Sequence, residues 1–330
     1  MDISTYNTCP DPAMQLPHAK QSRPLICIVG PTAVGKTKFG VELAKRIGGE
    51  IISADSMQIY RGMDIGTAKA TQEERQGIPH HCIDIVDADK PFTVSDYREW
   101  ALESMESIYQ RQKIPIVVGG TGLYVQSLTH TMTFTQAKED RTYRDKLFQQ
   151  GETETGKYSL YQKLQEIDPK AANRLHPNDL RRVIRALEVY HVTGAPMSEQ
   201  YGEYGENKQF RTLMFGLNRN RENLYAHIDE RVDHMIEKGL LEEVEDLLKN
   251  HVTPDCTSMQ AIGYKEIVAY ISGECTFDEA VAMIKQGSRR YAKRQLSWFR
   301  RFPEIKWFHV DEEDSAIILQ KMVSEIEGIL

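Results

Sequence analysis

The 330-residue sequence lacks the features that mark membrane, secreted and metal-stabilised proteins. It contains no apolar run near the roughly 20 residues that a membrane-spanning helix needs. Its N-terminus has no apolar core of the kind found in secretory signals. Its five cysteines are scattered and include no C-x-x-C pair, so they indicate neither a zinc site nor a redox centre. We therefore expect a soluble, cytoplasmic protein with reduced thiols and no membrane partner.

An excess of positive charge is also missing, because 48 acidic side chains outnumber 41 basic ones and the net charge is −7. This balance argues against a protein that coats nucleic acid over its whole surface, although a local basic patch is compatible with it. Hydrophobic residues make up 40% of the chain, which is ordinary for a globular protein and excludes a disordered one. The length suits two domains that share an interface.

Segments typical of strands and helices alternate in the first part of the chain. Short apolar runs predict strands at Leu25–Val29, Glu50–Ala54 and Ile114–Val118. Apolar residues with helical spacing follow the first strand and precede the third, where Thr93 is placed to cap the helix. Strands that alternate with helices at these lengths form parallel sheets through right-handed crossovers. We therefore predict an α/β fold in which ligands bind beyond the carboxyl ends of the strands.

Residues 126–204 differ in composition from the preceding part of the chain, because they contain few runs of β-branched residues. They contain three charged helical stretches, at Asp140–Gln150, Tyr158–Ile167 and Asn178–Val192. We predict that residues 126–204 form a helical insertion in a core domain made of residues 24–125 and 205–330. Residues 1–23 are polar and contain three prolines, and we expect them to form a mobile extension.

The pattern of the sheet resumes after the insertion. Leu213–Leu217 and Lys306–Val310 predict two further strands. Between them, apolar residues from Ile228 to Leu248 fall on one face and predict one long amphipathic helix. The core domain is therefore expected to continue with strands and helices from both sides of the insertion.

The most specific motif is a complete phosphate loop, G-x-x-x-x-G-K-[ST], between a predicted strand and a predicted helix. Its residues are Gly30, Pro31, Thr32, Ala33, Val34, Gly35, Lys36 and Thr37. Backbone N–H groups of such a loop hold phosphates at a helix N-terminus, Lys36 adds positive charge, and the Thr37 hydroxyl can hold Mg²⁺. We therefore predict an α/β, P-loop NTPase-like parallel sheet with helices on both faces and a helical insertion domain, with Mg²⁺ as cofactor.

The loop alone does not identify the phosphate ligand, since any diphosphate satisfies the same donors as ATP. In a kinase or NTPase, an apolar strand usually ends in an Asp that organises Mg²⁺. The strand Ile114–Val118 instead runs into Gly-Gly-Thr, ending at Thr121. Asp55, after the second strand, is the comparable carboxylate. Three interpretations fit it: a metal ligand, a general base or a helix cap.

Six further motifs occur along the chain. They are Asp55–Lys69, Gly77–Ile85, Val118–Tyr124, His176–Val189, Ala261–Glu266 and Lys293–Arg300. Together with the phosphate loop, they resemble the tRNA dimethylallyltransferases, also called tRNA isopentenyltransferases, from Leu25 to about Trp307. Some eukaryotic relatives carry a C-terminal zinc finger, and no Cys and His set follows Trp307 here, so the resemblance is to the bacterial type.

The resemblance implies transfer of a dimethylallyl group from dimethylallyl diphosphate to an exocyclic N6 amine in tRNA. The acceptor would be the adenine immediately 3′ of the anticodon, in tRNAs that read codons beginning with U. Asp55 would accept the proton of this amine, and Lys36 and Thr121 would complete the catalytic residues. The phosphate loop and Arg231, expected at the start of the long helix, would bind the diphosphate and offset its charge together with Mg²⁺.

The resemblance also implies a tRNA-binding surface around the adenine, which has to leave the anticodon stack to react. The residues expected to contact tRNA are Asp55, Ser56, Met57, Gln58, Thr121, Arg144, Arg181, Arg182, Arg185, Lys293, Arg294 and Arg300. Gln58 is expected to pair with the flipped base. Arg181 stands where the family usually has Gln, which argues against a base-specific contact there, and Arg144 fits a solvated helix face equally well.

One stretch of this negatively charged chain is strongly basic. Residues 285–301 contain seven Lys and Arg residues, no acidic residue and three aromatic residues, Tyr291, Trp298 and Phe299. Basic side chains interleaved with aromatic ones suit contact with nucleic acid, and we predict such contact here. The adjacent His80 and His81 have no third ligand nearby and predict no metal site.

Three other functions fit part of these features. A small-molecule kinase with an arginine-rich lid fits the loop but not the Gly-Gly-Thr strand end. Prenyl transfer to a free adenine nucleotide leaves the insertion and the basic stretch unused. A non-enzymatic RNA-binding module would not need a diphosphate site. We therefore predict a monomeric tRNA prenyltransferase whose partners are dimethylallyl diphosphate and the anticodon stem-loop of tRNA.

Overall fold

The computed structural model describes four parts of the chain: residues 22–132, 137, 139–200 and 205–329. The extension predicted for residues 1–23 lies outside these parts except for its last two residues, of which Arg23 opens the first strand. Within the described parts, no helix is both long enough and apolar enough to span a membrane.

Six strands of the described chain form one sheet: β1 Arg23–Val29, β2 Gly49–Ser53, β3 His80–His81, β4 Ile114–Gly119, β5 Phe210–Asn218 and β6 Ile305–His309. Their order is β3-β2-β4-β1-β5-β6, and every neighbouring pair is parallel. The five predicted strands are confirmed. The short β3 was not predicted, because two residues are too few for a periodic pattern. It exists through its pairing with Ile51 and Ile52 of β2.

The helices of the described chain are α1 Lys36–Ile47, α2 Gln72–Arg75, α3 Val94–Gln110, α4 Gly122–Thr129, α5 Arg141–Gln150, α6 Glu154–Ile167, α7 Pro169–Ala172, α8 Leu180–Thr193, α9 Arg221–Glu237, α10 Leu240–Lys249, α11 Tyr264–Ile271, α12 Phe277–Phe299 and α13 Ser315–Glu327. The predicted cap of α3 is confirmed, since Thr93 Oγ1 accepts a hydrogen bond from the Asp96 N–H at 3.2 Å. The three helices predicted in the insertion are confirmed as α5, α6 and α8.

The sheet is buried on both faces. Alternate residues of β1 belong to different apolar clusters: Cys27 packs in one with Tyr97 of α3, and Ile28 packs in the other with Leu43 of α1 and Ile318 of α13. Burial on both faces explains why the strands are continuous apolar runs rather than alternating patterns. The predicted α/β fold, a parallel sheet with helices on both faces, is therefore confirmed.

The insertion has an apolar cluster of its own. Helices α5 to α8 enclose it, and Leu160 and Ile184 are among its fully buried members. The segments that enter and leave the insertion run side by side, since His130 and Glu206 form an antiparallel bridge. The predicted start of the insertion, at residue 126, falls inside α4. Val125 of this helix belongs to the apolar cluster of the sheet that contains Cys27 and Tyr97. The domain limits themselves stay a prediction.

The single long helix predicted from Ile228 to Leu248 is wrong. Helices α9 and α10 are separated at Gly239, which has a φ of 97°. Residues with a side chain rarely adopt this left-handed conformation, so the helix is interrupted although the apolar spacing continues on both sides. Helix α9 begins at Arg221, and Arg231 therefore lies well inside a helix rather than at its start.

Candidate active site

The carboxyl ends of β1, β2 and β4 bring Gly30, Asp55 and Thr121 to one edge of the sheet, as the sequence predicts. Two hydrogen bonds join the last two segments directly. The Thr121 N–H donates to the Ala54 carbonyl oxygen at 3.0 Å, and the Ser56 N–H donates to Thr121 Oγ1 at 3.0 Å. Thr121 therefore holds the turn that carries Asp55.

The phosphate loop lies between β1 and α1 and requires unusual backbone geometry. A side chain at Gly30 would place its Cβ 2.4 Å from the Leu217 carbonyl oxygen, and Gly35 has a φ of 101°. Both positions therefore favour glycine. The loop residues that line a cavity are Thr32, Ala33, Gly35, Lys36 and Thr37. The remaining loop residues are buried behind them: Gly30, Pro31 and Val34.

Lys36 lies where the loop passes into α1, and its charge depends on the surroundings. Its Nζ donates to the Pro31 carbonyl oxygen at 2.7 Å. Burial and the positive charge of Arg231 lower the pKa of Lys36 to about 7, while Asp55 acts in the opposite direction. Negative charge on a bound diphosphate would favour the charged form of Lys36. The side chain is therefore suited to become fully cationic when a phosphate ligand arrives.

Two cavities meet beside the phosphate loop. The donor cavity, of about 540 Å³, contains the loop, and the acceptor cavity, of about 310 Å³, contains Ser56, Met57 and apolar side chains of α9 and α12. Six residues line both: Thr32, Asp55, Thr67, Arg231, Met235 and Tyr291. A ligand bound to the loop and a second ligand in the acceptor cavity would therefore meet beside Asp55.

Asp55 has a local structural role at this junction. Its Oδ1 accepts hydrogen bonds from the Met57 N–H at 2.9 Å and from the Gln58 N–H at 3.4 Å. An Asp that bonds the backbone two residues onward stabilises a turn. No helix begins at Asp55, so the helix-cap interpretation is wrong, and this oxygen instead holds a turn. The turn also orients the carboxylate toward both cavities. Its role as a base stays a prediction.

Arg231 lies with the phosphate loop, as the resemblance implies. Its Nη1 is 3.5 Å from Thr32 Oγ1, and the residue lines both cavities. Burial lowers the pKa of Arg231, and the nearby Asp55 carboxylate opposes this shift. Asp229, two residues earlier in the same helix, forms its ion pair with Arg289.

The residues after Asp55 divide between the cavities. Ser56 and Met57 line the acceptor cavity, whereas Gln58 lines the donor cavity. The Gln58 amide already holds protein groups, since its Oε1 accepts from Ser53 Oγ at 3.0 Å and its Nε2 donates to the Thr67 carbonyl oxygen at 3.2 Å. A base contact by Gln58 stays a prediction.

Gln295 is a site residue that the sequence analysis missed. Its Oε1 accepts from the Thr32 N–H at 2.8 Å, and its Nε2 donates to the Gly120 carbonyl oxygen at 3.0 Å. It therefore links the phosphate loop to the end of β4. One feature of the sequence could have identified Gln295. It is a polar residue that shares the buried face of α12 with Ala292 and Phe299.

Helix α12 is less cationic in the fold than its composition indicates. Lys285 pairs with Asp233 of α9 at 2.6 Å, in addition to the pair between Arg289 and Asp229. Phe299 is fully buried and is not available for stacking. The exposed basic residues are Arg290, Lys293, Arg294, Arg300 and Arg301, of which Arg294 also lines the acceptor cavity.

The arginines of the insertion differ in their surroundings. Arg144 Nη2 and Arg185 Nη1 both bind the buried Glu188 carboxylate, at 2.8 Å and 2.7 Å. Burial alone would raise the pKa of Glu188, but these hydrogen bonds lower it overall. Arg144 therefore does not belong to a merely solvated face. Arg181 and Arg182 are exposed, and tRNA contact at all four arginines stays a prediction.

Comparisons with known proteins identify relatives of this chain. Residues 58–302 match the family described as IPP transferase. The tRNA dimethylallyltransferases of Thermoanaerobacter sp. and Caldanaerobacter subterraneus subsp. tengcongensis are 50% and 52% identical over 302 and 304 residues, which cover 91% of this chain and 96% of each relative.

Solved structures agree as well. The full-length tRNA isopentenylpyrophosphate transferase from Bacillus halodurans has a TM-score of 0.70 and 45% identity, with 93% of this chain and 96% of that chain covered. A eukaryotic dimethylallyltransferase acting on tRNA has a TM-score of 0.77 and 33% identity, with 92% of this chain and 80% of that chain covered. The phosphate loop, the paired cavities and these likenesses lead to one assignment: the chain belongs to the tRNA dimethylallyltransferase family.

Proposed function

We propose that this protein transfers the dimethylallyl group of dimethylallyl diphosphate to the exocyclic N6 amine of the adenine immediately 3′ of the anticodon. Its substrates would be tRNAs that read codons beginning with U. The observation that carries the proposal is the junction of two cavities at Asp55, one of which contains a phosphate loop. The names of the relatives support the dimethylallyl group and the tRNA substrate.

The donor would bind with its diphosphate at the phosphate loop. Negative charge develops on the pyrophosphate as the bond between the allylic carbon and the phosphate oxygen breaks. Loop N–H groups, the Lys36 ammonium and the Arg231 guanidinium lie in or beside this cavity and can offset that charge. Interactions that strengthen in the transition state raise kcat, so these groups are expected to affect turnover more than donor binding.

Mg²⁺ fits the donor cavity as a cofactor. Among the residues that the structure describes, no three His, Cys, Asp or Glu side chains could hold a metal ion by themselves. Mg²⁺ commonly uses one or two protein oxygens and completes its shell with phosphate oxygens and water. The Thr37 hydroxyl lines the donor cavity and would hold the ion. Once bound, Mg²⁺ would add positive charge beside the pyrophosphate.

The adenine would enter the acceptor cavity beside Ser56 and Met57 after leaving the anticodon stack. Its amine nitrogen forms a bond to the allylic carbon, the bond from that carbon to the diphosphate breaks, and one amine proton passes to the Asp55 carboxylate. The nitrogen lone pair is delocalised into the ring, so the reaction benefits from a positioned proton acceptor. Thr121 would act by holding the turn that carries this acceptor.

The tRNA backbone would lie across exposed basic residues of α12 and α8, with one monomer acting on one anticodon stem-loop. Phosphate contacts position a nucleic acid without reading its sequence. The exposed candidates are Arg181, Arg182, Lys293, Arg294 and Arg300.

Replacing Arg294 by Ala is expected to weaken tRNA binding and to reduce the salt slope of log K by about one. The reason is the loss of one exposed cation that lines the acceptor cavity. Binding to unmodified tRNA is measured over a series of salt concentrations. Arg46→Ala, an exposed Arg of α1 outside both cavities, is the control and should keep the wild-type slope. An unchanged slope for Arg294→Ala would remove this residue from the interface.

Replacing Gln295 by Glu is expected to raise the KM for dimethylallyl diphosphate by about tenfold or more, because a negative charge then lies beside the diphosphate site. The variant keeps an acceptor for the Thr32 N–H but loses the donor to the Gly120 carbonyl oxygen. Steady-state kinetics measure the effect. Gln286→Glu adds the same charge on an exposed position of α12 and should match the wild type. Equal KM values for the two variants would contradict the assigned position of Gln295.

One assay tests the proposed function against its alternatives. The protein is incubated with labelled dimethylallyl diphosphate, ATP, free AMP and unmodified tRNA. Label on tRNA supports the proposal, and digestion to mapped fragments should place it on the adenine 3′ of the anticodon. Phosphate transfer from ATP would indicate a kinase, and label on AMP would indicate a free nucleotide as acceptor. Either of these outcomes without labelled tRNA contradicts the proposal.

A further inference from the structure

The loop of residues 62–69 forms a wall where the two cavities meet. Gly66 and Thr67 line the acceptor cavity, and Asp64, Ile65 and Thr67 line the donor cavity. The loop belongs to neither a strand nor a helix, so no regular ladder of hydrogen bonds holds it. Two backbone hydrogen bonds close a turn within it, from the Ala68 N–H to the Ile65 carbonyl oxygen and from the Lys69 N–H to the Asp64 carbonyl oxygen, both at 2.9 Å. Side chains supply its hydrogen bonds to distant parts of the fold.

One carboxylate accepts hydrogen bonds from three consecutive backbone amides of this loop. Glu243 Oε2 accepts from the Asp64 N–H at 2.8 Å and from the Ile65 N–H at 2.7 Å, and Oε1 accepts from the Gly66 N–H at 3.1 Å. Glu243 lies in the first turn of α10, about 180 residues away in sequence. Hydrogen bonds to an ionised acceptor are stronger than neutral ones.

Tyr264 also binds the Glu243 carboxylate. Its hydroxyl donates to Glu243 Oε1 at 2.5 Å, and its ring lies under Gly66, where an added Cβ would be 2.5 Å from the ring. Gly66 therefore cannot carry a side chain without displacing Tyr264. The other bonds to the loop are more local, such as the bond from Gln58 Nε2 to the Thr67 carbonyl oxygen. Glu243 and Tyr264 thus fix the loop to the α10 and α11 helices.

We propose that Glu243 is a positioning residue for the transfer reaction, and the proposal rests on the proposed function. Glu243 holds residues 64–66, which form the wall shared by the two cavities. This wall would keep the amine nitrogen of the acceptor aligned with the allylic carbon of the donor. Glu243 itself is not among the described residues that line either cavity, so it acts through the loop backbone. Displacement of reacting groups by about 1 Å lowers a rate about 100-fold, so loss of the Glu243 bonds to the loop backbone is expected to have a large effect.

The test is Glu243→Gln, which keeps the size of the side chain. The amide NH₂ of Gln cannot accept, so two of the four donors that face the carboxylate lose their partner. We expect kcat for dimethylallyl transfer to fall between about tenfold and about 100-fold, with tRNA affinity unchanged. We also expect faster hydrogen exchange at the amides of residues 64–66, which does not depend on activity.

Two control variants separate positioning from charge. Glu242→Gln removes an exposed charge from the same helical turn and should match the wild type in kcat and in exchange. Glu243→Asp keeps the charge near the helix N-terminus but withdraws the oxygens by one methylene, so it should remain defective.

The outcomes are distinct. Wild-type kcat and wild-type exchange in Glu243→Gln would overturn the proposal, and so would full activity in Glu243→Asp. If the wild type labelled no tRNA, the proposed function would fail. Faster amide exchange at residues 64–66 in Glu243→Gln would still support the role of Glu243 in fixing the loop.

Discussion

Replacing Asp55 by Ala is expected to lower kcat for dimethylallyl transfer by about 10²- to 10⁴-fold, the range typical of a lost general base. The Asp55 carboxylate lines both cavities and is the proposed acceptor of the amine proton. The tRNA affinity should remain close to that of the wild type, because proton acceptance matters in the transition state and not in binding. Single-turnover kinetics with labelled donor and a separate tRNA-binding measurement check both parts.

Asp55→Asn separates the catalytic role from the structural one. Its side-chain oxygen can still accept from the Met57 and Gln58 N–H groups, as Asp55 Oδ1 does, but the amide cannot take up a proton at neutral pH. We expect Asp55→Asn to be as slow as Asp55→Ala. If Asn restored turnover, Asp55 would be a turn residue without catalytic function. A loss of tRNA affinity with unchanged kcat in Asp55→Ala would also contradict the base assignment, because Asp55 would then act in binding and not in proton transfer.

Replacing Lys36 by Met is expected to reduce kcat by about 10²- to 10³-fold, as found when one donor to a developing negative charge is removed. The same substitution should change the pH dependence of donor binding. The pKa of Lys36 is lowered to about 7, so its positive charge is present below this pH and is lost as the pH rises through it. Affinity for dimethylallyl diphosphate should therefore fall above about pH 7 in the wild type.

The Lys36→Met variant should lose this part of the pH dependence and keep only the part that comes from ionisation of the donor. Equilibrium binding of dimethylallyl diphosphate at several pH values measures both. Lys45→Met removes the same charge from the exposed last turn of α1 and should retain the wild-type profile. Identical profiles for Lys36→Met and the wild type would show that Lys36 does not contact the diphosphate.

Elements with a local cause could be predicted from the sequence. The strand that precedes Gly30 is buried on both faces, so its uninterrupted apolar residues are sufficient to identify it. Thr93 caps α3 through a residue only three positions away. The phosphate loop depends on glycines at fixed spacings, since Gly35 adopts a left-handed conformation. The convergence of Asp55 and Thr121 then follows from the rule that parallel strands share one carboxyl edge.

Elements that depend on distant partners could not be predicted. Arg144 binds Glu188 across 44 positions of sequence, and no local spacing indicates this pair, while tRNA contact at Arg144 stays a prediction. Gln295 bonds to Thr32 across 263 positions of sequence, and no spacing rule indicates such a pair. Likewise, nothing in the composition of the basic stretch shows that Lys285 is paired with a carboxylate of α9.

Taken alone, the order of amino acids establishes the α/β fold class, the phosphate loop and the sheet edge where the reacting groups meet. Only the tertiary structure shows that Asp55 and Arg231 line the cavities. It also shows that Glu188 and Glu243 instead bind other protein groups, an arginine and a loop backbone. The reason is that periodicity and capping arise between residues a few positions apart. The pairs of Arg144 with Glu188 and of Gln295 with Thr32 form only when remote segments come into contact.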